Sequence, residues 1–118
     1  MDPPGAKQIN VHDSLDERCA CEHFLGKTVE QAELLFRQNA LYYEEDLLFM
    51  GPVAFRYYVP AFVRYIQSEH SCGDPDAINC FASLLEHRSG KRREVAPIAR
   101  ELADACRYIL QHYDRFGA

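Results

Sequence analysis

The sequence predicts an all-α fold, a single-domain bundle of four main helices at about 28–50, 52–70, 75–89 and 94–115. Three observations predict it. Apolar residues recur at three- and four-residue steps through most of the chain, the period of a half-buried helix. Gly and Pro fall between those periodic runs, where they end one helix or start the next. The 118 residues, 47% of them hydrophobic, suffice for one core without disulfide or metal support.

Residues 1–23 carry no sustained periodicity and hold Pro3, Pro4 and Gly5. They are expected to form a mobile or loosely docked arm ahead of a helical domain at 24–118. Thr28 and Gln31 form a capping box that opens the first helix. Val29, Ala32, Phe36, Ala40, Tyr43, Leu47 and Met50 mark one stripe along it. Leu34, Leu41 and Leu48 mark a second stripe, rotated by about a third of a turn. A helix with two apolar stripes is either central in a bundle or shared with a second copy, and the central position is the expectation.

Gly51 has access to the left-handed conformation that ends a helix, and Pro52 suits the first turn of the next. Beyond them Phe55, Tyr58, Val59, Phe62, Tyr65 and Ile66 keep helical phase straight across Pro60. Pro60 falls on the polar side of that wheel, so one helix kinked at Pro60 is expected. Asp74 and Pro75 read as N-cap and first position of the third helix, whose buried stripe is Ala77, Ile78, Phe81, Leu84 and Leu85. The fourth begins near Glu94 with Pro97 in its first turn. Its inward residues are Val95, Ile98, Leu102, Ala105, Cys106, Ile109 and Tyr113.

The formal net charge of -5 argues against a bulk electrostatic grip on nucleic acid or anionic lipid. That charge is uneven: residues 1–50 hold ten acids against four Lys or Arg, residues 91–118 six Lys or Arg against four acids. Such a gradient suits head-to-tail helix packing or a basic partner. No apolar run approaches the ~18 residues of a membrane span. The opening MDPPGAKQIN lacks the basic and apolar regions of a signal peptide. The five cysteines have no framework spacing, which points to free thiols in a reducing cytoplasm. Cys80 and Cys106 fall on apolar faces and are expected in the core.

Chemistry-bearing motifs are incomplete. Gly26-Lys27-Thr28 matches the tail of a phosphate-binding loop, but Cys21 stands where that loop needs a glycine. Cys19, Cys21 and His23 have C-x-C spacing, which departs from a closed zinc site, so free thiols are expected and no metal or cofactor is assigned. No E-x-x-H, H-E-x-x-H or G-x-S-x-G occurs, and no catalytic residue is assigned. Glu44, Glu45 and Asp46 are consecutive and point in three directions, as a solvated face within sequence reach of Arg56 or Arg64. The basic run from Arg88 to Arg93 is expected in a solvated turn.

Eight of the fourteen Phe and Tyr residues lie between 42 and 65. Most fall on inward stripes, whereas Tyr57 falls on the polar side with Arg64 and near Arg56. Exposed Tyr beside Arg is the composition of partner-binding patches, although burial of Tyr57 under the N-terminal arm accounts for it equally.

The runs FLGKTVEQAE (24–33), EDLLFMGPVAFRYYVPA (45–61), Ser68-Glu69, Gly73-Asp74 and LLEHR (84–88) together resemble a family of small bacterial proteins of unknown function. The match covers roughly residues 24–88. Its most specific part is E-D-L-x-x-M-G-P-x-A-F-x-Y-Y-x-P-A. The resemblance implies a small bacterial stand-alone domain and brings no activity, catalytic residue or cofactor with it.

The functional expectation is a non-enzymatic protein-binding module using Glu45, Asp46, Arg56, Tyr57 and Arg64. Two alternatives stand beside it. One is a small-molecule or metal-dependent enzyme with a polar pocket where Asp46, Arg56 and Tyr58 converge. The other is a structural protein that forms a homodimer through Leu34, Leu41 and Leu48.

Overall fold

A computed structural model describes residues 2–88 and 90–117. Met1, Ser89 and Ala118 lie outside the described residues, and with them the ends of the predicted arm, third helix and domain. Among the described residues all regular structure is helical. The elements are α1 (Ala6–Ile9), α2 (Leu15–Phe24), α3 (Val29–Phe49), α4 (Pro52–Ile66), α5 (Pro75–Arg88), α6 (Arg92–Val95) and α7 (Ala99–Gln111). Short 3-10 turns lie at Glu69–Ser71, Ala96–Ile98 and Tyr113–Phe116. Among the described residues no helix is long and apolar enough to cross a membrane.

The four predicted helices correspond to α3, α4, α5 and α7. The fourth starts later than expected, because Pro97 sits in the preceding 3-10 turn and not in the first turn of α7. Thr28 opens α3 as predicted, its hydroxyl accepting from the Gln31 N–H while the Gln31 amide returns to Thr28. Gly26, at φ +78°, turns the chain between α2 and that cap, a purely conformational use of the residues that mimic a phosphate loop.

The N-terminal arm is a correction. Residues 15–24 form a ten-residue helix packed on α3, and Ile9, Ala20 and Phe24 are fully buried. The signal was a second capping box, Ser14 with Glu17, at the start of α2. This docking also corrects the role of Gly51. Its φ of -59° is not left-handed. A Cβ there would run into the Gln8 carbonyl oxygen and a Val11 methyl. The Gly51 N–H donates to the Ile9 carbonyl at 3.0 Å. Glycine is required because the arm's backbone crosses here in contact.

The central helix is α4, not α3. Phe55, Tyr58, Val59, Phe62 and Ile66 are fully buried along it, whereas Leu34 and Leu41 of α3 are 51% and 56% exposed. A single helical span runs through the partly exposed Pro60. Non-helical dihedrals occur in α3, at Asn39 (φ -163°, ψ 88°). Both long helices end on an arginine from a distant segment. Arg88 donates to the carbonyls of Leu47, Leu48 and Met50 and lies 4.1 Å over the Phe55 ring. Arg115 donates to Ile66, Ser68 and the Ser71 hydroxyl. Each satisfies carbonyls that the end of a helix leaves unpaired. Arg88 is thus removed from the solvated turn expected of the basic run, since only 4% of it is exposed.

Candidate functional site: the outward face of the broken helix

The second half of α3 restarts at Asn39, whose side-chain oxygen accepts from the Tyr42 N–H at 3.1 Å in the manner of an N-cap. From there the three consecutive acids separate. Glu44 turns toward α5 and is 4% exposed, Glu45 faces solvent, and Asp46 turns toward α2 and is 6% exposed. Leu41, Tyr42 and Glu45 stay outside, with Leu48 partly covered.

Asp46 does not meet Arg56 or Arg64. Its carboxylate accepts from His23 Nδ1 at 2.6 Å. The Tyr42 hydroxyl lies 3.3 Å from His23 Nε2, and the Tyr43 ring meets the imidazole edge-on. With the Nδ1 proton directed at Asp46, Nε2 is left to accept from Tyr42. Burial pushes the Asp46 carboxyl above its ordinary value against the opposing pull of His23. A cleft of about 130 Å³ opens beside this chain, walled by Asp16, Cys19, His23, Tyr42, Asp46 and Phe49, with Glu45 at its rim.

Next to it, sharing Tyr42 and Glu45, is a shallow groove of about 470 Å³ along α3, lined also by Asn39, Leu41, Glu44 and Leu48. The Glu44 carboxyl in its wall is pushed up to about 7 by burial, with a hydrogen bond to the Cys80 thiol acting against the shift and the charge of Glu45 adding to it. Its Oε1 has no hydrogen-bond partner. Together the groove and the cleft form one acidic surface with apolar and aromatic walls.

The other residues named from sequence fall elsewhere. Arg56 and Tyr57 line a separate cavity of about 430 Å³ with Gln8, Val53, Pro97 and Ile98. Arg56 donates to the Glu94 carbonyl, and Tyr57 stands edge-on to Tyr58. Arg64 pairs with Glu30 at 3.3 Å on the surface. Glu45 and Asp46 share a site, therefore, and Arg56 and Tyr57 share another, while Arg64 belongs to neither. The polar pocket proposed for Asp46, Arg56 and Tyr58 does not form. Tyr58 is fully buried and donates to the carbonyls of Phe24 and Lys27, closing the end of α2. Cys19 and His23 share the wall of the cleft, but Cys21 does not join them: its thiol donates to the Ala6 carbonyl, and His23 is held by Asp46. Among the described residues no group of three His, Cys, Asp or Glu is placed to hold a metal.

Three residues of the face, Tyr42, His23 and Glu44, were not legible as site residues, and Tyr42 stood only within the aromatic-rich run at 42–65. His23 appeared only as a metal candidate, and its pairing with Asp46 spans 23 positions, with no local signal. Glu44 appeared only within a solvated acidic run. Its i, i+4 relation to the buried Ala40, alongside Leu47 at i+3, was the available hint that it faces inward. Comparison with protein-family models, with curated proteins and with solved structures finds no match to this chain.

Proposed function

We propose that the chain is a non-enzymatic protein-binding module, that its docking face is the outward side of α3, and that its partner offers a basic segment with an apolar face. The observation that carries this reading is the combination of Leu41 and Tyr42, each more than half exposed, with the carboxylates of the groove and cleft beside them. Leu41 and Leu48, two turns apart in the half of α3 that restarts at Asn39, give the register on which an amphipathic helix docks. Charge complementarity favours a basic occupant over a second copy, because a homodimer on Leu34, Leu41 and Leu48 brings Glu44 and Glu45 of both chains into one interface. Five free cysteines support a reducing compartment such as the cytoplasm, and the E-D-L-x-x-M-G-P-x-A-F-x-Y-Y-x-P-A run supports a bacterial source.

The probe is a synthetic amphipathic helix with leucine on one face and lysine on the other, titrated into isotopically labelled protein. The expected result is amide shifts confined to α3 from Leu41 to Leu48 and to the His23 cleft, weakened in Leu41→Ser, with none from the leucine–glutamate counterpart. Shifts that are absent, or spread over the whole surface, count against the reading. Light scattering that finds a dimer dissociated by Leu41→Ser transfers the face to self-association.

A second reading has its own observation. The chain Asp46–His23–Tyr42 opens on a cleft, and a buried carboxylate orienting an imidazole is a general-base arrangement. An enzyme of this kind acts on a small molecule at Tyr42 or Cys19. It requires that His23→Ala abolish turnover in a hydrolase or transferase substrate screen while leaving peptide binding at Leu41 intact.

A further inference from the structure

We propose that Glu44 is the anchor of the groove, a carboxylate held in its wall to receive the ammonium or guanidinium of a lysine or arginine that the partner inserts beside Leu41 and Leu48. This inference rests on the docking reading above and assigns its recognition chemistry. Glu44 is 4% exposed, yet its Oε1 has no hydrogen-bond partner. A buried carboxylate oxygen left unpaired is costly and uncommon in a folded protein. The fold does not lack the means to satisfy one, as Glu17 shows with contacts from Val11, His12 and Ser14.

Four arginines of the surrounding helices are committed elsewhere, Arg56 to the Glu94 carbonyl. Arg37 pairs with Glu33, Arg64 with Glu30, and Arg88 with Glu94 and the end of α3. The place beside Oε1 is thus open to a donor from a partner. A carboxylate is an acceptor only, and an ammonium or guanidinium is a donor only, so the pair is matched without rearranging any third group. Tyr42 supplies an aromatic wall for the alkyl stem and the charge, and Glu45 at the rim adds attraction.

The groups around Glu44 set how its proton behaves. Glu45 lies on α3 itself, and Cys80 reaches it from α5, with Asp74 and Asp76 behind that thiol and the Tyr65 hydroxyl of α4 bonded to Asp74. Asp16 and His23 of α2 face the neighbouring cleft. Burial pushes the Glu44 carboxyl up to about 7, so near neutral pH the free protein is a mixture of protonated and ionised forms. Insertion of a cation selects the ionised form. The carboxyl O–H bond breaks, its proton passes to solvent, and N–H···O bonds from the cation take its place.

The experiment is calorimetry of the leucine–lysine peptide in buffers of different ionisation enthalpy, which counts protons released. Near one proton per peptide is expected at about pH 6, and few at about pH 8. Glu44→Gln, checked for folding by circular dichroism, is expected to bind about tenfold more weakly and to release none. Carboxyl carbon resonances of the unmodified protein give the same answer without a variant. Glu44 should titrate near neutrality when free and stay ionised when bound. If Leu41→Ser weakens binding while Glu44→Gln leaves affinity and proton release unchanged, the anchor is wrong and the docking face stands. If the unmodified protein does not bind the peptide, or binds it regardless of Leu41→Ser, face and anchor are both overturned.

Discussion

Glu17 and Glu44 are both glutamates removed from solvent, with 2% and 4% of their surface exposed, yet their surroundings treat them in opposite ways. Glu17 stands in the first turn of α2 and accepts from the backbone N–H groups of Val11, His12 and Ser14 and from the Ser14 hydroxyl. Burial raises its carboxyl, but the bonds from Ser14 and His12 outweigh it and hold the group below its ordinary value. Glu44 has the Cys80 thiol and an orphan oxygen, and its carboxyl is raised. Burial alone does not decide the charge of a carboxylate; the supply of donors does. A carboxylate with all its donors closes a corner of the fold, and one without them keeps an unmet acceptor.

The largest expected effect breaks the satisfied corner. Glu17→Ala leaves several N–H groups of the arm without an acceptor and should cost about 3 kcal/mol in urea unfolding. A loss below about 1 kcal/mol would mean that water replaces the carboxylate there and that the corner is not held by it. The linkage has a defined sign. Because the folded value of Glu17 is depressed, its stabilisation is present above the ordinary carboxylate range and disappears as pH falls through the folded value.

Gly51→Ala attacks the same docked arm from the other side. Its Cβ would meet the Gln8 carbonyl and Val11, and a loss of about 2 kcal/mol is expected, with faster hydrogen exchange in α1 and the loop after it. Unchanged exchange there would show that the arm does not rely on this crossing.

Glu44→Gln sharpens the comparison, because it should stabilise. The folded Glu44 carboxyl is raised from 4.5 to about 7, so its contribution favours folding most below that window, falls as pH rises through it, and is level above. The variant should therefore gain about 1–2 kcal/mol over the parent at about pH 8 and nothing at about pH 4. A gain that is the same at both values would assign the effect to packing. The smallest effect belongs to Leu41→Ser, expected within about 0.5 kcal/mol because the side chain is 56% exposed. A larger loss would place Leu41 in the core and remove it from the docking face.

Much of the helical plan was legible in the chain. The Thr28 capping box, the Gly51-Pro52 junction and Asp74-Pro75 mark real boundaries of α3, α4 and α5, because caps and punctuation act within a few residues. By the same logic Ser14 and Glu17 could have revealed α2, but the polar, weakly periodic run LDERCACEHF concealed it. Asn39 carried no comparable mark. It breaks α3 because its side chain can cap the helical turn that begins there, a use that an isolated Asn does not announce. Of the candidate site, Glu45 and Asp46 were legible as acids at a corner. Their separation from Arg56, Tyr57 and Arg64, and the pairing of Asp46 with His23, were not.

By itself the sequence determined that the chain is helical, where three of its four main helices begin, and that the three acids at 44–46 diverge, since these are consequences of local periodicity, caps and the turn of a helix. Only the tertiary structure decided which apolar stripe is core and which is surface. It placed α4 at the centre, covered Gly51 with the arm, and left Leu34 and Leu41 outside. It also decided that Glu17 is fully bonded and Glu44 is not. Local chemistry fixes which groups want burial or a partner, but whether they obtain one depends on which distant segment arrives beside them.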